Sequence, residues 1–239
     1  MISVCMATYN GEAFIREQLL SILGQLSFED EVLIADDGST DATLEIVRSF
    51  HDLRIHVIPA AKKRLGPIYN LERALSCAKG NWIFLADQDD VWFPNKVSRI
   101  LAEFQTSSAN CILHDAFFFT KNANGVWECG KRIFEIRQPR HGIFANWEKN
   151  SFTGCCMAFR RELLGSALPF PKALPMHDQW IGLCAEKTKK ARFLHEPLVK
   201  YRMHLLNATD LAHGKKASIL QKILWRLSLA RILFFRLGR

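Results

Sequence analysis

The chain has 239 residues, 49% of them apolar and 23% charged, a balance that fits a folded globular protein and excludes a disordered one. No run of about 18 uncharged apolar residues occurs, and Met1 to Ala7 has no basic leader, so neither a transmembrane helix nor a secretory signal is expected. The tail from Leu211 onward carries +7 of the net charge of +8, which leaves a nearly neutral body and excludes a broad nucleic-acid-binding surface.

The first ninety residues alternate between strand and helix patterns. Ile2 to Thr8 reads as a strand, and Asn10-Gly11 as a turn that caps a helix from about Glu12 to Leu23. Glu31 to Ala35 is a second strand, and Asp36 to Asp41 turns into a helix carrying Leu44, Ile46 and Val47. Ile55 to Ile58 is a third strand. Pro67 opens a helix with Leu71, Ala74, Leu75 and Ala78 at helical spacing, and Trp82 to Ala86 is a fourth strand.

The second half is less regular. Ile112 to Thr120 and the stretch from Val126 read as strands around an Asn122–Gly125 turn. Phe152 to Phe159 reads as a short apolar strand, followed by a helix from Arg161. A further helix runs from His177-Asp178 to about Glu186, and Leu198 to His204 is a last strand. Lys215 to Arg239 reads as a basic apolar helix. The seven cysteines are odd in number and form no Cys-x-x-Cys pair, so reduced, mostly buried thiols are expected.

Strands separated by helices imply a mostly parallel sheet covered on both faces, with ligands bound beyond the C-terminal ends of its strands. Thr8-Tyr9-Asn10, Asp36-Asp37 and Asp87-Gln-Asp-Asp90 all fall at such ends, so three distant polar clusters converge on one rim. Three carboxylates within four residues repel one another. A divalent cation relieves that repulsion by taking their oxygens and bridging them to phosphate.

Ala7-Thr-Tyr-Asn-Gly11, Ala35-Asp-Asp-Gly-Ser-Thr-Asp41, Gly66-x-x-x-Asn70 and Asp87-Gln-Asp-Asp90, in this order, resemble the family 2 glycosyltransferases. Phe152-Thr-Gly-Cys-Cys-Met-Ala-Phe159, His177-Asp-Gln-Trp180 and Tyr201-Arg-Met-His204 are similar to the bacterial rhamnosyltransferase-type members. The resemblance implies an α/β fold of the GT-A type: a Rossmann-like, mostly parallel sheet flanked by helices, with a C-terminal helical extension. It spans about residues 1–207. A glycosyltransferase domain over 1–210 would divide into a nucleotide-binding half (1–110) and an acceptor half (111–210), followed by the 211–239 helix.

The resemblance also implies roles. Thr8, Tyr9 and Asn10 would wrap the base of the donor nucleotide, with Asn70 nearby. Asp36 or Asp37 would accept a hydrogen bond from the imide N–H of uracil or thymine; two consecutive acids exceed what a helix cap needs, and Ser39, Thr40 and Asp41 suffice for that. Asp87 would contact the ribose or the metal's water shell, Asp89 would coordinate magnesium or manganese, and Asp90 would orient its neighbours or cap the helix begun by Pro94. His204 would be a further metal ligand and Arg202 a phosphate partner. Asp178 would be the base that deprotonates the acceptor, its simpler role being a helix cap. Gly154 and Cys155 would lie on the acceptor side, Cys155 as packing rather than nucleophile.

The expected activity is an inverting, metal-dependent transfer of a sugar from a dTDP- or UDP-linked donor, with dTDP-rhamnose suggested by the late motifs. The expected acceptor is a cell-surface glycan such as lipopolysaccharide or a lipid-linked saccharide. The place of action would be the cytoplasm, at the inner face of the membrane, with the 215–239 helix on the lipid surface. Two alternatives remain open at this stage: a nucleotidyltransferase that makes nucleotide sugars, and a non-catalytic sugar-nucleotide or glycan-binding module. The first would show a Gly-rich, basic N-terminal phosphate loop, which Met1 to Gly11 lacks.

Overall fold

The computed structural model describes residues 1–172, 174–204 and 218–237. In chain order the elements are β1 (Ile2–Thr8), α1 (Ile15–Leu23), β2 (Glu31–Asp36), α2 (Thr43–Arg48), β3 (Ile55–Val57), α3 (Gly66–Cys77), β4 (Trp82–Ala86), β5 (Val91–Trp92) and α4 (Lys96–Thr106). There follow β6 (Cys111–Lys121), β7 (Trp127–Arg132), α5 (Ile133–Arg137), α6 (Ile143–Glu148), β8 (Met157–Arg160), α7 (Leu164–Ala167), α8 (His177–Lys187), β9 (Ala191–Arg202) and α9 (Ile219–Leu237).

One sheet runs through the molecule in the order β3-β2-β1-β4-β8-β6-β9-β5, with β7 paired to β6. Its first half, β3-β2-β1-β4, is wholly parallel. Every residue of β2 is buried, as a strand covered by helices on both faces requires. On α1, Ile15, Leu19 and Ile22 recur at helical spacing and are fully buried. The second half is mixed: β8 runs antiparallel to β4 and β6, and β9 runs parallel to β6. The α/β, Rossmann-like architecture read from the sequence is the architecture found.

The local differences have physical reasons. The turn after β1 is followed by a helix that begins at Ile15, not Glu12, because the amides of Phe14 and Ile15 both turn back to the Gly11 carbonyl. Asn10 (φ 47°) does not cap that helix; its side-chain oxygen accepts from the Thr40 amide across the rim. Helix α4 starts at Lys96, and Asp90 is not its cap, since the Asp90 carboxylate accepts the Arg202 amide instead. The expected strand from Phe152 begins only at Met157, after a single 3-10 turn over Gly154–Cys156. There the Phe152 ring leaves the sheet to lie on Gly182 of α8, where a Cβ would overlap it. The tail helix is present as α9, which buries Leu229 against the body and ties to α6, where Trp147 Nε1 donates to the Arg226 carbonyl at 2.9 Å. Lys215, Lys216 and Arg239 of the expected basic tail lie outside the described residues.

Because Phe152 fills the space over Gly182, Gly182→Ala is expected to lower the unfolding free energy by about 1–3 kcal/mol through overpacking. Urea denaturation measures this, and an unchanged midpoint would mean that Phe152 packs elsewhere.

Candidate active site

Parallel pairing sets Thr8 beside Asp36 and Met6 beside Ala86, so the turns after β1, β2 and β4 share one rim. The first two turns are stitched together. Asp36 takes the Thr8 hydroxyl at 2.8 Å and the Ser39 hydroxyl at 2.6 Å on one oxygen, and the amides of Gly38 and Ser39 at 3.0 and 2.8 Å on the other. Gly38, with φ 84°, supplies the left-handed backbone this turn needs.

With four donors, about the acceptor capacity of a carboxylate, Asp36 is saturated by its own turn and by Thr8. Asp37 accepts only one amide on each oxygen, from Leu65 at 2.8 Å and Gly66 at 2.9 Å, and keeps acceptor capacity. Thr8 is spent on Asp36. Tyr9, by contrast, is exposed, with the Arg64 guanidinium 3.7 Å from the centre of its ring and 3.8 Å from Asp37. Arg64 was not singled out from the sequence. The signal available there was its place in the Lys62-Lys63-Arg64 run just before Gly66.

Asn70 does not face the rim. It is fully buried, donates to the Ala35 carbonyl and accepts from Arg73 at 2.6 Å, so it clips α3 to β2. It is thus engaged within the fold, beside the Asp36–Asp37 turn, and is not a solvated helix residue.

The acidic motif is fixed from three sides. Gln88 pairs with the backbone of Tyr9 in both directions, at 2.9 and 3.0 Å, and binds this turn to the first. Gln18 of α1 donates to the Asp87 carbonyl at 2.6 Å. Arg202, at the end of β9, donates its amide to Asp90 at 2.9 Å and its Nε to the Asp89 carbonyl at 2.7 Å. The Arg202 guanidinium also meets Glu17 at 2.5 Å and lies 4.5–5.0 Å from the ring centres of Phe14, Phe119 and Trp127. At 2% exposure it is an internal brace of the motif, which corrects its expected role as a phosphate ligand.

The side chains of the motif divide by depth. Asp87 opens to the recess. The Asp89 carboxylate lies 2.8 Å from His204 Nε2, both half-buried, and the His204 ring lies tilted by 30° against Phe14, 4.5 Å between ring centres. Asp90 is fully buried, and its second oxygen has no hydrogen-bond partner among the described residues. Asp87, Asp90 and Cys155 bring one potential ligand atom each within 4.8 Å of one another. Cys155 therefore packs behind the acids, fully buried, and does not face an acceptor. Its thiol is pushed well above the ordinary range, first by its hydrogen bond with Cys156 and then by burial, and so stays protonated.

Electrostatics join these groups to Asp178. Although Asp87 is open to solvent on one side, the protein atoms around the recess push its carboxyl up to about 7, and the charges of Asp89 and then Asp178 add to this. Burial, then Asp89 and Asp87, drive Asp90 well above the carboxylate range. The counter-charge is Lys96, a fully buried lysine that donates to the Cys155 carbonyl at 2.8 Å and lies 3.9 Å over the Trp92 ring. Burial holds its ammonium down to about 8, while the nearby thiols and acids act to raise it. An acidic set that carries this much mutual repulsion is suited to a divalent cation.

Asp178 lies in the first turn of α8, not at its cap, which is Met176. One oxygen takes the Gln179 amide at 2.6 Å and the Asn150 side chain at 3.2 Å. His177 lies against Gly154, where a Cβ would stand 2.9 Å from its Nε2. Burial holds the His177 imidazole below its ordinary range, against the pull of Asp178.

Residues 3–167 match the family model described as glycosyl transferase family 2, and the chain belongs to that family. It is therefore a glycosyltransferase, and the nucleotidyltransferase and the binding module are set aside. A dTDP-rhamnosyl transferase, RfbG of Shigella flexneri, is 26% identical over 213 residues, which cover 83% of this chain and 71% of RfbG. Among solved structures, residues 1–349 of S. aureus TarS in complex with UDP-GlcNAc superpose with a TM-score of 0.73 at 21% identity, over 97% of this chain and 66% of that one. Glucosyl-3-phosphoglycerate synthase of Mycobacterium tuberculosis, in complex with Mn2+, UDP and glucosyl-3-phosphoglycerate, gives a TM-score of 0.61 at 19% identity, over 100% of this chain and 80% of that one. Both share the fold.

Since Asn70 serves α3 and β2, Asn70→Ala is expected to cost about 1–3 kcal/mol of stability and to leave UDP affinity unchanged. Urea denaturation and calorimetric titration separate the two effects.

Proposed function

We propose that the protein moves a sugar from a pyrimidine nucleoside diphosphate to a saccharide hydroxyl with inversion at the anomeric carbon. The observation that carries this reading is that Asp87 lies within electrostatic reach of both Asp89 and Asp178, which brings the acidic motif and a carboxylate of α8 together. A donor-side acidic pair and a separate carboxylate within electrostatic reach are what a direct displacement needs.

The base would sit between the Tyr9–Arg64 pair and Asp37, whose remaining acceptor capacity suits the imide N–H of uracil or thymine. Thr8 and Asn10 act by shaping this turn, and Asp87 lies where a ribose or a metal-bound water would be held. Asp89 and His204 are the residues to hold a divalent ion: a carboxylate oxygen and an imidazole nitrogen, 2.8 Å apart and both reachable from the recess, suit magnesium or manganese. Once bound, such an ion neutralises charge on the diphosphate. Asp178 takes the proton from the acceptor hydroxyl as that oxygen attacks the anomeric carbon and the bond to the diphosphate breaks. Its position across the recess from the acidic motif, next to the close-packed Gly154, is the acceptor side.

RfbG supports dTDP-rhamnose as the donor to test first, and the acceptor to test with it is a glycan of the cell surface, including a lipid-linked one. None of the described helices is long and apolar enough to cross a membrane. Leu224 and Leu227 of α9 are 56% and 61% exposed, with Arg226 and Arg231 also exposed beside them, a combination that suits the surface of an anionic bilayer at the inner face of the membrane.

A panel of dTDP-, UDP- and GDP-sugars with lipid-extract acceptors and manganese or magnesium tests the activity. Asp89→Ala is expected to abolish metal-dependent nucleotide binding. Asp178→Asn should lower kcat by about 10²–10⁴ with nucleotide affinity retained, and undiminished turnover in that variant would reject Asp178 as the base. The double change Leu224→Ser and Leu227→Ser should reduce co-sedimentation with phosphatidylglycerol vesicles severalfold without altering the melting curve. Equal co-sedimentation would reject the membrane contact.

A further inference from the structure

We propose that Asn150 is a positioning residue that aims the Asp178 carboxylate, an inference that rests on Asp178 being the base. Asp178 has an asymmetric environment. Its Oδ1 accepts two hydrogen bonds, from the Gln179 amide at 2.6 Å and from Asn150 Nδ2 at 3.2 Å, while Oδ2 has no partner among the described residues. The residue is half-buried, so the free oxygen remains reachable.

The orientation of the Asn150 side chain is settled by chemistry. Its Oδ1 accepts the Phe152 amide at 2.9 Å, and a backbone N–H can only donate. The carbonyl end of the side-chain amide must therefore face Phe152, and the NH2 end must face Asp178. A flipped amide would set two donors against each other at Phe152 and two acceptors against each other at Asp178. The donor thus points at the carboxylate, whose Oδ1 meets it as an acceptor.

Besides the Asn150–Phe152 contact, the loop is pinned at other points. On one side Lys149 Nζ donates to the Arg137 carbonyl at 3.0 Å. On the other, the Ser151 amide donates to Asn146 at 3.1 Å, the Arg140 amide donates to the Ser151 hydroxyl at 3.0 Å, and Arg137 donates to the Phe152 carbonyl at 3.1 Å. Asn150 is thus the member of a well-pinned segment whose side chain leaves the loop to meet the first turn of α8. The same segment continues through Thr153 into the Gly154–Cys156 turn that backs the acidic motif, so one stretch of chain positions both sides of the recess.

With Oδ1 fixed by two donors, rotation of the Asp178 carboxyl is restricted and Oδ2 is held for the incoming hydroxyl. A misaimed base loses rate without losing substrate affinity. The other groups that face Asp178 are His177 on its own helix and Asp87 of the acidic motif.

The test compares the wild type with Asn150→Leu, close in volume but without a donor, and Asn150→Ser, smaller and still a donor. With whichever nucleotide sugar the panel turns over, Asn150→Leu is expected to lower kcat by about ten- to a hundredfold while the donor KM stays within about twofold. The acid limb of the kcat profile should move to higher pH, and Asn150→Ser should lie between Asn150→Leu and the wild type. Loss of a purely structural residue would shift the melting curve and leave the acid limb in place. A wild-type kcat and acid limb in Asn150→Leu would overturn the proposal. Full activity in Asp178→Asn would instead overturn the reading on which it rests. If no sugar of the panel is turned over, the NMR titration of the Asp178 carboxyl carbon decides the point: a midpoint higher in Asn150→Leu supports the proposal, and an unchanged midpoint overturns it.

Discussion

The site depends on how the protein holds three carboxylates together at the end of β4. Asp87, Asp89 and Asp90 would push their turn apart if it stood alone. Two cations from other parts of the chain oppose this. Lys96 is buried at the start of α4, against the Trp92 ring and the Cys155 carbonyl. Arg202 comes from the far end of β9, 113 residues beyond Asp89, and holds the motif through its backbone amide and its guanidinium together. Burying a charge is costly unless it is paired and hydrogen-bonded, and the aromatic walls of Phe14, Phe119 and Trp127 around Arg202 help meet that condition. Of the three acids, Asp87 is the exposed one, and Asp89 is paired with His204.

This bracing explains why the second half of the sheet is built as it is. For Arg202 to reach Asp89 and Asp90, β9 must run beside β6 and end at the same rim as β1 and β4. The antiparallel β8 between β4 and β6 returns the chain from the Gly154–Cys156 turn, which backs the acids. Helix α8 then starts at the rim and sets Asp178 across from them. The parallel half carries the turns after β1, β2 and β4, the mixed half carries Arg202 and Asp178, and the Gly154 turn is the seam.

Much of this was legible in the sequence. The alternation of strand and helix from Ile2 to Ala86 fixed the parallel half, because apolar runs of strand length between helices have few other solutions. The three polar clusters at strand ends pointed to a shared rim for the same reason. What the sequence did not separate was which member of each cluster faces inward. Asp36 and Asp37 are adjacent acids, yet one is saturated by its own turn and the other retains acceptor capacity. Asn70 and Arg202 are polar residues in promising places, but each is consumed by a neighbour distant in sequence: Ala35 in one case, Glu17 and Asp89 in the other.

By itself, then, the sequence determined the α/β fold, the rim and the acidic, metal-suited chemistry of the site, since these follow from local periodicity and from residue types that repel unless a cation joins them. The tertiary structure alone decided the division of labour. Hydrogen-bond capacity is finite, and whether a carboxylate, amide or guanidinium has any to spare depends on partners brought in from far along the chain. Asp37 and Asp178 are less fully engaged by their own turns than Asp36 is, and Asn150 governs how the Asp178 carboxylate is aimed.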